Sequence, residues 1–153
     1  MKRWEIVVGY ILGFGFVTSI QSLLISGFSI YVLNMMMVGS FFLVMLITIL
    51  GAMTALTLGT LLSTAANSEF QMIQFIPLVI VPQVFFSGLF ELSPTWEAIG
   101  RLFPLYYIAD ALRAVMLKGS GFWEISFQLG VVLSFSVVFM TLNVLMLKKH
   151  RRI

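Results

Sequence analysis

The sequence predicts an all-α, polytopic membrane helix bundle, with four spanning helices and a re-entrant or interfacial helix pair before the last span. Composition is the first reason: 60% of the 153 residues are hydrophobic and 10% are charged, whereas soluble domains are about 25% charged. The second reason is where charge is absent. Three stretches contain no charged residue, namely 6–68, 70–90 and 125–147. Each reaches the roughly 20 residues that a membrane crossing requires.

The first uncharged stretch is too long for one helix and must turn back once. Its most polar point lies between Asn34 and Ser40, where Gly39 also favours a turn. We therefore expect helix A over 6–33 and helix B over 40–64. Both helices carry small residues at four-residue spacing, namely Gly9 and Gly13, then Gly51, Ala55, Gly59 and Ser63; such stripes favour close helix contacts within the chain or a subunit interface.

A short polar hinge, residues 65–69, precedes helix C over 70–90. Pro77 and Pro82 lie inside this helix. Proline removes a backbone hydrogen bond and kinks a helix, and is tolerated in a span where neighbouring groups satisfy the freed carbonyls. The two prolines therefore predict a kinked helix packed inside the bundle.

Residues 93–119 form a different kind of segment, in which neither helical piece is long and apolar enough to span alone. Pro94 after Ser93 is typical of a helix start, Pro104 starts a second helix, and Gly119 is placed to end it. These pieces form the predicted outer pair. Helix D follows over 122–147, and a basic tail ends the chain.

Basic residues set the predicted orientation. An even number of crossings puts both termini on one side, which carries more Lys and Arg than the segment between helices C and D. By the positive-inside rule both termini are cytoplasmic. The net charge of +3 clusters at the chain ends, which favours membrane lipid as a partner and disfavours nucleic acid.

Enzyme chemistry is poorly supported. The chain has one His, no Cys, a single Asp and no glycine-rich phosphate loop. These counts leave no zinc motif, no aspartate pair that could share a proton, and no site for ATP hydrolysis. We therefore predict no catalytic residue, no metal ligand and no cofactor bound by this chain.

Uncharged polar residues within the spans have two interpretations. They form hydrogen bonds between helices, or they line a path for a substrate. The charged residues of the outer pair likewise form surface ion pairs, Glu97 with Arg101 and Asp110 with Arg113, or they form a gate. The candidate lining of such a path is uncharged and rich in Phe, Met and Gln, a composition that favours an amphipathic or lipid-like cargo over a highly charged polymer.

Three segments together resemble the permease subunits of ABC-2 type transporters: residues 67–90, residues 103–119 and, more weakly, residues 2–10. Such a permease has six spanning helices, so the resemblance implies that residues 1–153 correspond to helices three to six. The first two helices would then be absent because the chain is a fragment, or because they belong to another polypeptide.

The resemblance also implies roles and partners. A separate ABC ATPase subunit would use ATP and dock on cytoplasmic coupling residues, while a second permease chain, identical or different, would complete a dimer in the plasma (inner) membrane. Coupling would involve Lys2, Arg3, Trp4, Glu5, Asn67, Ser68 and Glu69. The translocation path and its gate would involve Gln21, Gln74, Pro77, Pro82, Gln83, Pro104, Tyr106, Tyr107, Asp110 and Arg113. The main alternative function is a small oligomeric channel whose helices surround a wet lumen, and a further alternative is a membrane scaffold that transports nothing.

Overall fold

The computed structural model describes residues 3–90 and 93–150, and within these ranges it is helical, with no strand. The predicted fold class is therefore confirmed. The helices are α1 Arg3–Tyr31, α2 Phe41–Ala65, α3 Glu69–Val84, α4 Pro94–Gly100, α5 Pro104–Lys118 and α6 Ser126–His150, and a π-helical turn, Phe85–Leu89, continues α3. The four segments long and apolar enough to cross a membrane are Val8–Tyr31, Phe41–Ala65, Glu69–Gly88 and Ser126–Met146.

Helix ends follow local chemistry. The Ser68 side chain accepts a hydrogen bond from the backbone N–H of Gln71 at 3.2 Å and so caps α3. Gly119 takes a left-handed conformation, with φ of 70°, and ends α5. Helix α1 ends at Tyr31, two residues before the predicted end, and Asn34 has a positive φ of 48° in the following turn.

Helix α2 lies at the centre of the bundle and packs against α1, α5 and α6. One cluster of buried apolar residues comes from α2, α5 and the first residues at and just before α6: Val44, Ile47, Ala111, Val115, Ile125 and Leu129. Two cross-helix contacts show that α2 and α6 run parallel, because Thr54 contacts Ser136 and Thr60, six residues further on, contacts Asn143. The core is therefore formed around one parallel helix pair.

Helix α5 is re-entrant. Gly51, ten residues into α2, packs against Ile108 near the start of α5, whereas Gly39, which precedes α2, packs against Val115 near its end. At about 1.5 Å per residue, Gly51 lies roughly 15 Å below the start of α2, which is about half the thickness of the hydrocarbon layer. The segment from α4 to α5 thus dips to about mid-depth and returns.

Helix α3 differs from the expectation that it packs inside the bundle. Its span is 11% buried, against 28% for α2, and apolar residues such as Phe70, Ile73 and Leu78 are exposed. The buried residues of this segment are Gln83, near the C-terminal end of α3, and Ser87 in the π turn. The π turn packs against α4 and α5. A π-helical turn begins three residues after Pro82, but the burial that the two prolines implied is not supplied by the described residues.

Candidate translocation cavity and outer gate

A cavity of about 430 Å³ lies between α1, α2, α3 and α5. No charged and no aromatic side chain is among its described lining residues. The walls consist of aliphatic side chains, glycine and alanine, with a few hydroxyl groups and one amide. The expectation of a lining rich in Phe and Met is therefore wrong, because those side chains project outward from α1 and α3 and not into this space.

The small residues of α2 make room for this cavity. Gly51, Ala55 and Gly59 all line it. A β-carbon at Gly59 would meet no atom within 4 Å, and Gly51 contacts only the Ile108 side chain. The small residues of α2 therefore leave room for the cavity, and of the two glycines only Gly51 contacts another helix.

The stripe on α1 has no partner helix among the described residues. Gly9 and Gly13 are exposed, and β-carbons added there would meet no atom within 4 Å. The close approach of α1 to α2 occurs instead at Gly15, where a β-carbon would lie 2.6 Å from the Met53 methyl group. A contact within the chain, the first of the two interpretations, therefore does not apply at Gly9 and Gly13.

Gln83 is the one amide among the described residues that line the cavity. Its side chain is 6% exposed, and its Nε2 donates to the backbone carbonyl of Val79 at 3.3 Å. Its Oε1 has no hydrogen-bond partner among the described residues, yet it is not among the buried unpaired atoms. This oxygen is therefore an accessible, unused acceptor on a side chain that lines the cavity. Pro104, at the start of α5, lines the same cavity.

Other polar residues of the spans serve helix packing. Ser136 contacts Thr54 at 2.6 Å between hydroxyl oxygens. The buried Asn143 amide donates to the Thr57 carbonyl at 2.9 Å and to the Thr60 hydroxyl at 3.0 Å, while Thr64 donates to its Oδ1 at 3.3 Å. This set, which we call the α2–α6 polar seam, supports the inter-helix interpretation for Ser136 and Asn143.

Sequence reasoning missed the α2 side of that seam. Thr54, Thr57, Thr60 and Thr64 follow one another at three- or four-residue spacing in a helix, so they share one face. That spacing was available as a signal. A threonine hydroxyl in a helix can also donate to a backbone carbonyl of the same helix, as Thr54 does to Leu50 at 2.8 Å. The presence of threonine alone therefore does not indicate a contact with another helix.

The residues predicted to form one path are divided by the structure. Gln83 and Pro104 line the cavity, Pro82 is partly buried but not part of the lining, and Gln21, Gln74 and Pro77 are exposed on the outer faces of α1 and α3. Tyr106, Tyr107 and Asp110 lie on the opposite side of α5. There they line a separate pocket of about 260 Å³ together with residues of α6.

Asp110 and Arg113 do not pair with each other. Asp110 accepts a hydrogen bond from Gln128 Nε2 of α6 at 2.8 Å, and Arg113 donates to the Ser87 backbone carbonyl in the π turn at 3.1 Å. The predicted ion pair is therefore wrong. The reason is that residues three apart in α5 point toward different neighbours, and each finds a partner across a helix contact.

The π turn is held between α4 and α5. Gly88 has a φ of 81°, and a β-carbon there would lie 2.9 Å from the Arg113 guanidinium. Gly100 approaches the Phe86 carbonyl so closely that a β-carbon would lie 2.7 Å from it. Two glycines and one arginine thus fix the outer end of α3 against the re-entrant pair.

The predicted Glu97–Arg101 pair does form, at 3.3 Å, and the Tyr106 hydroxyl also donates to the Glu97 carboxylate at 2.9 Å. The hydrogen bond from Tyr106, followed by that from Arg101, lowers the pKa of Glu97 below its ordinary value. Burial, together with the Glu97 hydrogen bond, raises the pKa of Tyr106. These contacts join α4 to the first turn of α5.

The predicted coupling residues lie at the end of the bundle away from the re-entrant pair. Antiparallel contacts between α1 and α2, such as Ser26 with Thr48 and Gly15 with Met53, place Glu5 at about the level of the end of α2. Asn67, Ser68 and Glu69 follow α2 directly and are exposed. Lys2 and the side chains of Arg3 and Trp4 lie outside the described part.

The fold defines a polytopic helical membrane protein, and four apolar spans, a re-entrant pair and an uncharged cavity are features of a transport component. The family model for ABC-2 type transporters matches residues 1–117. The chain therefore belongs to the ABC-2 type transporter family and is a transmembrane component of such a transporter. The match covers α1 through most of α5, and α6 lies beyond it. No curated protein and no solved structure shows significant similarity to the chain.

Proposed function

We propose that this chain is the permease subunit of an ATP-driven exporter, works with a separate ABC ATPase and a second permease chain, and resides in the plasma (inner) membrane with both termini in the cytoplasm. Its membership of the ABC-2 type transporter family carries this proposal. The separate ATPase would bind and hydrolyse ATP. The residues of this chain would form the translocation path and the surface on which the ATPase pushes.

The arrangement of the helices supports a mechanical role. Glu5 and Asn67–Glu69 share one end of the bundle, while the cavity and the re-entrant helices lie further along it. Helix α3 starts at this end, is held only at its outer end, and passes beside the cavity. A push on residues 67–69 would therefore tilt α3 about the π turn and change the cavity, in the manner of a rigid-body transition between two packings.

The lining of the cavity disfavours the channel alternative. A wet lumen requires polar groups that replace the hydration shell of its ions. Here the cavity hydroxyls of Thr48 and Thr54 donate to the backbone carbonyls of their own helix, and the remaining walls are almost entirely aliphatic. Such a surface suits an uncharged, apolar cargo.

Association with the ATPase tests the proposal. Glu69→Lys reverses the charge of an exposed residue at the end of the bundle that carries Glu5 and residues 67–69, and it should reduce co-purification of the proposed ABC ATPase partner. Glu124→Lys is the matched control, since Glu124 is also exposed but precedes α6 at the opposite end. Equal reduction by both variants, or undiminished co-purification of Glu69→Lys, would contradict the proposed docking surface.

A further inference from the structure

The cavity has one hydrogen-bonding feature that its apolar walls do not explain. Gln83 is 6% exposed, and burying an amide in an apolar region costs free energy unless its groups are paired. Its Nε2 is paired with Val79, whereas its Oε1 is unpaired among the described residues and remains accessible on a side chain that lines the cavity. A leucine at this position would avoid that cost, so the amide oxygen is explained by a ligand that brings a donor.

The other polar groups of the cavity are largely occupied. Ser26 and Thr48 share a hydrogen bond at 3.4 Å, and Thr48 also donates to the Met45 carbonyl. Ser22, on α1, adds a hydroxyl with no partner among the described residues. The available polar surface therefore consists of the Gln83 oxygen on the α3 wall and one hydroxyl on the α1 wall.

The rest of the cavity lining indicates the charge and the size of a ligand that could bind there. The described lining contains no charge that could pair with an ionic group and no aromatic ring that could hold an organic cation. A charged group there would be desolvated without compensation. The volume of about 430 Å³ lies within the range of cavities that bind small organic ligands, roughly 300–1,000 Å³.

We infer that this cavity binds an uncharged amphiphile, whose aliphatic body packs between α2 and α3 and whose hydroxyl or amide N–H donates to Gln83 Oε1. Fatty alcohols and related single-chain neutral lipids belong to this class. As a statement about cargo, the inference rests on the proposed function. As a statement about binding, it stands on the cavity alone.

Photolabelling of the full chain in lipid nanodiscs tests the inference. The probe is a fatty alcohol of about twelve carbons that carries a diazirine, and two matched probes replace the hydroxyl with hydrogen or with a trimethylammonium group. Labelled sites are mapped by mass spectrometry. Labelling of Leu62, Leu105 and Ile108, which line the cavity and are partly buried, is divided by labelling of exposed Phe14 and Phe16 on α1 to correct for contact with lipid.

The alcohol should label the cavity residues more strongly than either matched probe. Gln83→Leu should reduce this labelling about fivefold, to the level of the alkane, because one hydrogen bond to a buried acceptor is lost. Gln74→Leu, an exposed amide on the same helix, should leave it unchanged. Leu58→Phe, which fills the cavity without altering Gln83, should reduce labelling by the alcohol and the alkane alike.

Equal labelling by all three probes, label concentrated on Phe14 and Phe16, or full labelling of Gln83→Leu would overturn the inference. ATPase co-purification from the same membranes separates this result from the proposed function. Intact co-purification without cavity labelling would reject the ligand class and leave the exporter proposal standing. Cavity labelling without any ATPase association would reject the exporter proposal and leave the ligand class standing.

Discussion

Helices α6 and α3 are both largely apolar, but the rest of the chain holds them very differently. Helix α6 is joined to α2 by the α2–α6 polar seam, in which Asn143 is 1% exposed and contacts three threonines. Helix α3 is equally free of charge beyond Glu69, yet most of its length is exposed. Both segments are apolar enough to cross a membrane, so we attribute the difference to where hydrogen-bonding groups are placed.

Membrane physics explains this contrast. Lipid tails are as apolar as leucine, so apolar side chains alone give two helices little reason to associate. Buried donors and acceptors do, because they lack water as an alternative partner. Along α3 such groups occur only at its outer end, where Ser87 accepts from Arg113. The α2–α6 pair is thus the fixed frame, and α3 is the element able to move against it.

The sharpest way to break this comparison is Asn143→Leu. The substitution removes three hydrogen bonds between α2 and α6, and at about 0.6 kcal/mol for each such bond it should lower the free energy of unfolding by about 2 kcal/mol. Thr141→Ala is the control, since Thr141 is exposed and bonds only to the carbonyl of Val137. Unfolding in a titration with denaturing detergent measures both. Equal stability of the two variants would show that apolar packing alone holds the frame.

A smaller effect is expected at the fixed end of α3. Gly100→Ala places a β-carbon 2.7 Å from the Phe86 carbonyl, and such overpacking costs about 1–3 kcal/mol. Replacing glycine in a helix returns about 0.5–1 kcal/mol, so a net loss of about 1 kcal/mol should remain. Hydrogen exchange in residues 85–89 should also become faster.

Gly59→Ala is the matched control for this substitution. Gly59 is a helical glycine with no atom within 4 Å of an added β-carbon, so only the gain in helix propensity applies and stability should rise slightly. If both alanine variants behave alike, the contact between α4 and the π turn does not restrain α3.

Much of the fold was predictable because single-helix properties determine it. Uncharged runs predicted the four spans, and Pro94, Pro104 and Gly119 marked the re-entrant helices, since proline and glycine limit backbone conformation locally. The burial of α3 could not be predicted this way, because hydropathy does not reveal which neighbour covers a helix. The wrong Asp110–Arg113 pair has the same origin: sequence spacing does not show the cross-helix partners Gln128 and Ser87.

The candidate site was predictable only in part. Gln83 stood out as an amide within an apolar span, and the structure places it at a cavity. Gln21 and Gln74 carried the same signal and are exposed, because side-chain type does not determine which face of a helix meets a neighbour. The threonines of α2 were passed over for the opposite reason, since their role depends on α6, about eighty residues away in the chain.

The smallest expected effect concerns the contact between α4 and α5, where Tyr106 donates to Glu97. Because the pKa of Glu97 is lowered in the folded chain, its stabilising contribution is present above the ordinary glutamate pKa and is lost as pH falls through the lowered value. The Glu97 side chain is exposed on the surface of the chain, so this contribution is small. Carboxyl ¹³C NMR titration of Glu97 should give an upward pKa shift in Tyr106→Phe, which removes the largest cause, whereas Tyr107→Phe should change nothing. An unchanged titration in Tyr106→Phe would mean that Arg101 alone holds the carboxylate, and α4 would then be coupled to α5 only through Gly100 and its apolar contacts.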